Sequence, residues 1–179
     1  MRAETGPISL TVETIATPIG GLELVAGEDG SLCAAEFADC RHWVDRWLRQ
    51  RYGPAGCELV PGKVTAEIRD AFARYFAGDL CAIADVPIRL DGTTFQNEVW
   101  TALRRIKPGE TSGYGALARM LGRPQSARVV GHANGTNPLS IVVPCHRLVG
   151  ANGDLVNYGG GIARKRWLLD HEARNAGDR

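Results

Sequence analysis

The sequence contains no long hydrophobic run. None of its 179 residues lies in a stretch that approaches the ~18 consecutive apolar residues of a membrane span. The first ten residues, MRAETGPISL, contain no apolar core of the kind found in a secretory signal. We therefore expect a cytoplasmic protein without a membrane segment.

Cysteines suited to pairing are lacking as well. The chain has five of them at scattered positions, namely Cys33, Cys40, Cys57, Cys81 and Cys145. An odd, irregularly spaced set in a cytosolic protein argues against a disulfide framework. Three of these cysteines together with His42 could in principle bind a metal ion, but their spacing matches no familiar zinc pattern. We expect neither disulfides nor a metal.

The charge is unevenly distributed along the chain. Residues 1–92 hold 9 Lys and Arg against 14 Asp and Glu, a net charge of −5. Residues 93–179 hold 12 against 6, a net charge of +6. A basic half favours a polyanionic partner such as DNA, because neutralising phosphates drives non-specific binding. A solvated basic surface would give the same composition, so charge alone leaves both interpretations open.

The first half of the sequence has mixed α and β character. Three β-prone runs, 12–17, 22–26 and 32–36, are separated by glycine-rich turn sequences. Helical spacing of apolar residues follows over 41–52 and 65–77, and residues 79–92 are expected to be extended. The pattern predicts a small α/β domain over residues 1–90, which we expect to have a structural role.

The second half, residues 91–179, is predicted to be mainly helical. Helices are expected over 95–106 with Thr94 as N-cap, over 114–121, from about Gln125, and over 162–173. The second and third are joined by a tight turn, as in a helix-turn-helix. The third would be the recognition helix, with small residues and Arg128 as its longest cation. Small side chains suit either a close approach to DNA or tight helix packing.

The adjacent Cys145 and His146 are the clearest candidates for chemistry. They follow an apolar, β-prone run over 141–143 that Pro144 must end. A thiolate is nucleophilic, and histidine is the usual base near neutral pH. Neighbours in an extended chain point to opposite faces, so contact between them needs a bend or a bridging water. Glu172 is either the residue that orients His146 or a surface carboxylate.

The segment IVVPCHRLVG resembles the active-site signature of the 6-O-alkylguanine-DNA alkyltransferases. Five further blocks match in order over about residues 94–172, namely TTFQNEVWTAL, GETSGYGALA, ARVVGHANGTNP, NYGGG and RKRWLLDHE. The resemblance implies an α+β fold, with a ribonuclease-H-like N-terminal domain and a winged-helix-like catalytic domain. It also implies a monomer, without cofactor, that flips an alkylated guanine out of double-stranded DNA and transfers the alkyl group to itself once. Binding would use the minor groove with little sequence specificity, and cooperative assembly on DNA stays open.

The resemblance also assigns roles to single residues. Cys145 matches the alkyl acceptor, His146 and Glu172 the groups that activate it through a water, and Asn137 the residue that holds the active-site turn. Tyr114 matches the tyrosine that helps to rotate the nucleotide and donates to the leaving guanine. Arg128 matches the arginine that fills the gap in the duplex.

The resemblance also assigns surface and pocket residues. Besides Arg128, the matched DNA contacts are Tyr114, Thr94, Gly115, Arg123, Ala127 and Ala151. The matched base pocket consists of Val143, Pro144, Tyr158 and Gly159. Some relatives have serine at the position of Gly159.

Three alternative functions make different demands on the sequence. A helix-turn-helix regulator could use Cys145 as an alkylation or redox sensor, and it would require sequence-specific binding. A cysteine hydrolase built on Cys145 and His146 would turn over and would require an oxyanion hole. A non-catalytic lesion-binding relative would lack the cysteine, which is present here.

Overall fold

The computed structural model describes residues 8–53 and 56–177. The first half forms a four-stranded sheet and two helices. The strands are β1 (Ile8–Thr17), β2 (Gly20–Ala26), β3 (Leu32–Phe37) and β4 (Cys57–Pro61), and the helices are α1 (His42–Tyr52) and α2 (Ala66–Phe76). The sheet order is β3-β2-β1-β4, with β4 parallel to β1 and the other pairs antiparallel. All six residues of β3 are buried, as expected for a strand covered on both faces.

The second half is mainly helical within the described residues. Its helices are α3 (Thr94–Leu103), α4 (Tyr114–Met120), α5 (Ala127–Gly135) and α6 (Ile162–Asn175). Two short strands, β5 (Ser112–Gly113) and β6 (Leu148–Val149), pair in parallel. The indole N–H of Trp100 on α3 donates to the carbonyl of Ala133 on α5 at 2.9 Å, which fixes these two helices against each other.

The two halves share one hydrophobic core. A single cluster of buried residues includes Leu22 of β2, Phe72 of α2, Trp100 of α3 and Leu168 of α6. The chain after α5 also lies along the edge of β3. There the N–H of Ala35 donates to Pro138, and the carbonyl of Ala35 accepts from Ser140, both at 2.8 Å. The sheet therefore supports the segment that leads to Cys145.

The predicted strands and helices are confirmed, with changes at their ends. The N-cap of α3 is Thr93, so the assignment of that role to Thr94 was wrong. Thr93 is extended, accepts from the N–H of Gln96 at 3.3 Å and donates its own N–H to the Gln96 side chain at 2.8 Å. The sequence TTFQ contains this capping box, which begins one residue earlier than expected.

Three local expectations about the backbone were incomplete or wrong. Strand β4 was not predicted, and a 3-10 helix, Ala82–Asp85, interrupts the segment expected to be extended. The run 141–143 is buried as expected but forms a turn rather than a strand. Within the described residues, no helix has the length and apolar character needed to cross a membrane.

Candidate active site

Cys145 begins a one-turn 3-10 helix, Cys145–Arg147, directly after a reversal of the chain. Pro144 has φ −80° and ψ 64°, and the N–H of Cys145 donates to the carbonyl of Val143 at 2.8 Å. These values describe an inverse γ-turn centred on Pro144. Ile141 has a φ of 75°, a left-handed conformation that β-branched residues rarely adopt. Tight turns rather than a strand therefore carry the cysteine.

Asn137 holds this turn from inside. Its side-chain N–H donates to the carbonyl of Val143 at 3.0 Å, and its side-chain oxygen accepts from the N–H of Leu139 at 3.0 Å. One amide thus links the two ends of the turn that precedes Cys145. The Asn137 amide also lowers the pKa of the Cys145 thiol, which favours the thiolate. Asn137 therefore acts on both the backbone turn and the candidate nucleophile.

Glu172 is buried, which excludes the surface carboxylate considered from the sequence. Its Oε1 accepts from His146 Nε2, Tyr75 Oη and Arg147 Nη2, each at 2.8 Å. Its Oε2 accepts from Arg147 Nε at 2.9 Å and from the N–H of Gly109 at 3.2 Å. Burial alone would raise the pKa of Glu172, but His146 and Arg147 outweigh it and lower that pKa strongly. The group is a fixed anionic acceptor.

This acceptor determines the tautomer of His146. Because a carboxylate can only accept, the proton of the neutral imidazole lies on Nε2 and the lone pair lies on Nδ1. Nδ1 is buried and has no hydrogen-bond partner among the described residues. Burial lowers the pKa of His146, although Glu172 opposes the shift, so the ring is neutral at pH 7. His146 therefore presents a free proton acceptor.

Cys145 is buried, with 6% of its surface exposed. Burial raises the pKa of the thiol to about 11, while Asn137 and Lys165 act in the opposite direction. A thiol of this pKa is almost entirely protonated at neutral pH and is a weak nucleophile until a base takes the proton. Among the described residues, His146 hydrogen-bonds to Glu172 and not to the thiol. A bridging group such as a water is therefore required between the thiol of Cys145 and the ring of His146, as expected from the sequence.

Two tyrosine hydroxyls lie near the thiol. Those of Tyr114 and Tyr158 are buried and have no hydrogen-bond partner within the described residues. Burial raises the pKa of both, and the nearby Cys145 adds to each shift. The ring of Tyr158 stands edge-on to that of His146, with centroids 6.5 Å apart. Buried polar groups are nearly always paired, so these hydroxyls indicate a site for a polar ligand.

The loop over residues 150–161 closes one side of the site and is held by a buried lysine. Lys165 on α6 donates to the carbonyls of Leu148 and Val156 at 2.5 Å and 2.6 Å. It joins the residue just after the active-site turn to the middle of the loop. The loop cannot shift without breaking a charge-assisted hydrogen bond in a buried position.

The glycines of this loop are placed against other parts of the site. A Cβ at Gly160 would lie 2.7 Å from the ring of Phe37 and 2.8 Å from that of Tyr158. A Cβ at Gly159 would lie 3.3 Å from a carboxylate oxygen of Glu36. Glu36 is buried on β3 and accepts from the hydroxyl of Ser140 at 2.9 Å. Strand β3 thus approaches the loop as well as the turn.

The predicted DNA-contacting residues lie on or near the surface around α4 and α5. Thr94, Arg128 and Ala151 are exposed, while Gly115 and Ala127 are partly exposed. The ring of Tyr114 packs near Gly131 of α5, where an added Cβ would lie 3.5 Å away. Arg123 pairs with Glu98 at 3.0 Å and lies over the ring of Phe95. Val129 is 53% exposed beside Arg128, which gives α5 an outer face that is partly apolar.

Sequence reasoning missed four residues of the site. Arg147 belongs to the motif that was recognised but received no role, and Lys165 lies in the matched block RKRWLLDHE but also received no role. Tyr75 and Glu36 come from the first half, which was expected to be structural. No local pattern in the sequence indicates their contacts, since Tyr75 and Glu172 are 97 residues apart.

Comparison with known proteins identifies the family. The sequence model for the DNA-binding domain of 6-O-methylguanine DNA methyltransferase matches residues 94–174. A methylated-DNA--protein-cysteine methyltransferase of Salmonella typhimurium is 47% identical over 165 residues, covering 92% of this chain and 96% of the relative. A Mycobacterium tuberculosis protein of the same name is 45% identical, with 91% and 92% covered.

Solved structures agree with the sequence matches. Mycobacterium tuberculosis OGT in complex with DNA superposes with a TM-score of 0.75 at 40% identity, covering 94% of each chain. The O6-methylguanine-DNA methyltransferase of Pyrococcus kodakaraensis gives a TM-score of 0.69 at 26% identity, with 91% of this chain and 98% of that chain covered. The mixed α+β fold of this chain is therefore that of these proteins. The chain belongs to the methylated-DNA--protein-cysteine methyltransferase family.

Proposed function

We propose that this protein repairs DNA by transferring a methyl or other alkyl group from the O6 atom of guanine to Cys145, once per molecule. The observation that carries the proposal is a buried, protonated thiol on the residue next to a neutral histidine, whose Nδ1 has no partner among the described residues and whose ring is oriented by Glu172. The relatives named above are called methylated-DNA--protein-cysteine methyltransferases, a name that describes methyl transfer from DNA to a protein cysteine. The regulator alternative finds no support in the site or in the relatives.

The proposed reaction begins with a proton transfer. The thiol proton of Cys145 passes through a bridging water to Nδ1 of His146, and the resulting imidazolium is stabilised by Glu172. The thiolate sulfur then forms a bond to the alkyl carbon. The bond between that carbon and O6 breaks, and its electron pair stays on guanine, where a donated proton makes it a better leaving group. The thioether product is not cleaved by water, so the protein is spent.

The two unpaired tyrosine hydroxyls support the proposed base pocket. Tyr114 would donate to the leaving guanine, and Tyr158 would form a wall of the pocket with Val143 and Pro144. The backbone of Gly159 would approach the alkylated oxygen without a side-chain hydroxyl. A base within the duplex cannot reach a buried cysteine, so the nucleotide must be flipped out at a cost of a few kcal/mol.

The proposed DNA surface consists of α4 and α5. The small residues of α5 would enter the minor groove, and Arg128 would fill the gap left by the flipped base. The contacts proposed for the surrounding surface involve Thr94, Gly115, Arg123, Ala127 and Ala151. The complex of the Mycobacterium tuberculosis relative with DNA supports a nucleic-acid partner. Binding as a monomer with little sequence specificity is part of the proposal.

We further propose a boundary between two domains near residue 90. The sheet order β3-β2-β1-β4, with a parallel fourth strand, supports a ribonuclease-H-like name for residues 1–90. The helical pair α4 and α5 with the short strands β5 and β6 supports a winged-helix-like name for residues 91–179. The cytoplasmic location expected from the sequence stays a prediction.

The stoichiometry of repair tests the proposal. A duplex with one 6-O-methylguanine is added in excess, and loss of the lesion is followed by chromatography of the digested DNA. We expect repair to stop at one lesion per protein and to be absent in Cys145→Ala. Continued turnover would indicate a hydrolase, and intact lesions despite tight binding would indicate a lesion sensor.

A further inference from the structure

The hydrogen bond from Tyr75 to Glu172 connects the first half of the chain to the proposed proton acceptor. Tyr75 lies on α2 and is fully buried. Its hydroxyl donates at 2.8 Å to Oε1 of Glu172, and the same oxygen accepts from Nε2 of His146 at 2.8 Å. The phenol and the imidazole therefore share one acceptor atom.

The position of the phenol is fixed from several sides. The carbonyl of Tyr75 accepts from Nε2 of His171 at 2.8 Å, and the two rings stand edge-to-face with centroids 5.4 Å apart. The Tyr75 ring also packs in the common hydrophobic core. Because backbone and ring are both held, the hydroxyl is a permanent donor to Glu172.

The charge balance around Oε1 explains the use of a neutral donor. The charged and titratable groups that face the phenol are Glu172, Arg147, His146, His171 and Tyr158. Arg147 already compensates the single negative charge of Glu172. A phenol occupies part of the acceptor capacity of Oε1 without adding charge, and thus weakens the attraction of Oε1 for a protonated His146.

We propose that Tyr75 is a positioning residue for alkyl transfer. Its hydroxyl weakens the attraction of Glu172 for a protonated His146, so that the imidazole ring stays unprotonated and can accept the thiol proton. The inference rests on the proposed function and extends it to the first half of the chain. That half then forms part of the catalytic machinery in addition to covering the site.

The test is the pH dependence of methyl transfer in Tyr75→Phe, which removes only the hydroxyl. The rate falls on the acid side as His146 becomes protonated. Without the phenol, Glu172 stabilises the imidazolium more strongly, so we expect this acid limb to move to higher pH by about half to one unit. Tyr52→Phe is the matched control, since its hydroxyl also lies in the first half but bonds to Arg89 and Asp91.

A shifted acid limb in Tyr75→Phe with an unshifted one in Tyr52→Phe supports the inference. A uniform rate loss at every pH, or an unchanged profile, overturns it in favour of a structural role. If Tyr75→Phe does not fold, 3-fluorotyrosine introduced at position 75 alone replaces it, and this stronger donor should move the limb to lower pH. An unshifted limb with fluorotyrosine likewise overturns the inference. If the unmodified protein transfers no methyl group, it is the proposed function that fails.

Discussion

Replacing Glu172 by glutamine tests whether the buried network holds the active site together. The substitution keeps the shape of the side chain but removes the charge that compensates Arg147, which has only 4% of its surface exposed. Breaking a buried ion pair by removing one partner costs about 3–5 kcal/mol. For a chain of this size that loss lowers the melting temperature by roughly 6–20 °C. Transfer should also be strongly slowed, because His146 loses its anionic partner.

Glu23→Gln is the matched control for this prediction. Glu23 is also buried and pairs with Arg41 at 2.9 Å, but the Arg41 side chain is 46% exposed and can turn to water. Its removal should cost about 1 kcal/mol or less. Urea unfolding followed by circular dichroism measures both variants. A loss for Glu172→Gln within about 1 kcal/mol of the control would refute the reasoning, since burial of the partner is meant to decide the magnitude.

The pH dependence of stability provides a second measurement on the same group. The pKa of Glu172 is lowered on folding, so its stabilisation is fully present above the unfolded value of about 4.3. That stabilisation is lost as the pH falls through the lowered folded pKa. We expect the difference in unfolding free energy between the native protein and Glu172→Gln to be constant at neutral pH and to shrink in strong acid. A constant difference down to acid pH would contradict this assignment.

Four further substitutions test individual parts of the site. Gly160→Ala should slow transfer, because its Cβ would lie 2.7 Å from the ring of Phe37, and Gly159→Ser should slow it less, because its Cβ would lie 3.3 Å from Glu36; single-turnover rates compare them, and a larger loss in Gly159→Ser would contradict this. Asn137→Ala should raise the pKa of the nearby thiol, so iodoacetamide labelling should require a higher pH; an unchanged labelling curve would contradict this. Arg128→Ala should slow transfer from duplex DNA but leave labelling by iodoacetamide unchanged, and slowing of both would point to a folding defect instead.

The sequence predicts the elements that have local signals. Glycine turns separate β1, β2 and β3, and apolar spacing marks the α-helices of the described residues. Strand β4 was not predicted, because it is stabilised by pairing with β1, and the paired residues are far apart in the chain. The run 141–143 has strand-like composition, but the bond from Asn137 to Val143 and the γ-turn at Pro144 require a turn. Tertiary contacts therefore override the strand preference of residues 141–143 directly before the nucleophile Cys145.

The sequence could predict only those site residues that lie in a recognisable motif. Cys145 and His146 are adjacent, and Glu172 lies in a matched helix, so all three could be predicted from the sequence. The contributions of Tyr75 and Glu36 depend on how α2 and β3 pack on the second half. Single polar residues in an apolar strand or helix carry no signal for such long-range partners.

Intact-protein mass spectrometry after mixing with a duplex containing one 6-O-methylguanine tests the central claim most directly. The account predicts a gain of one methyl group per molecule, mapped by peptide analysis to Cys145 and absent in Cys145→Ser, with unmodified guanine left in the DNA. An unchanged protein mass despite binding of the duplex, or a methyl group on another residue, would contradict it.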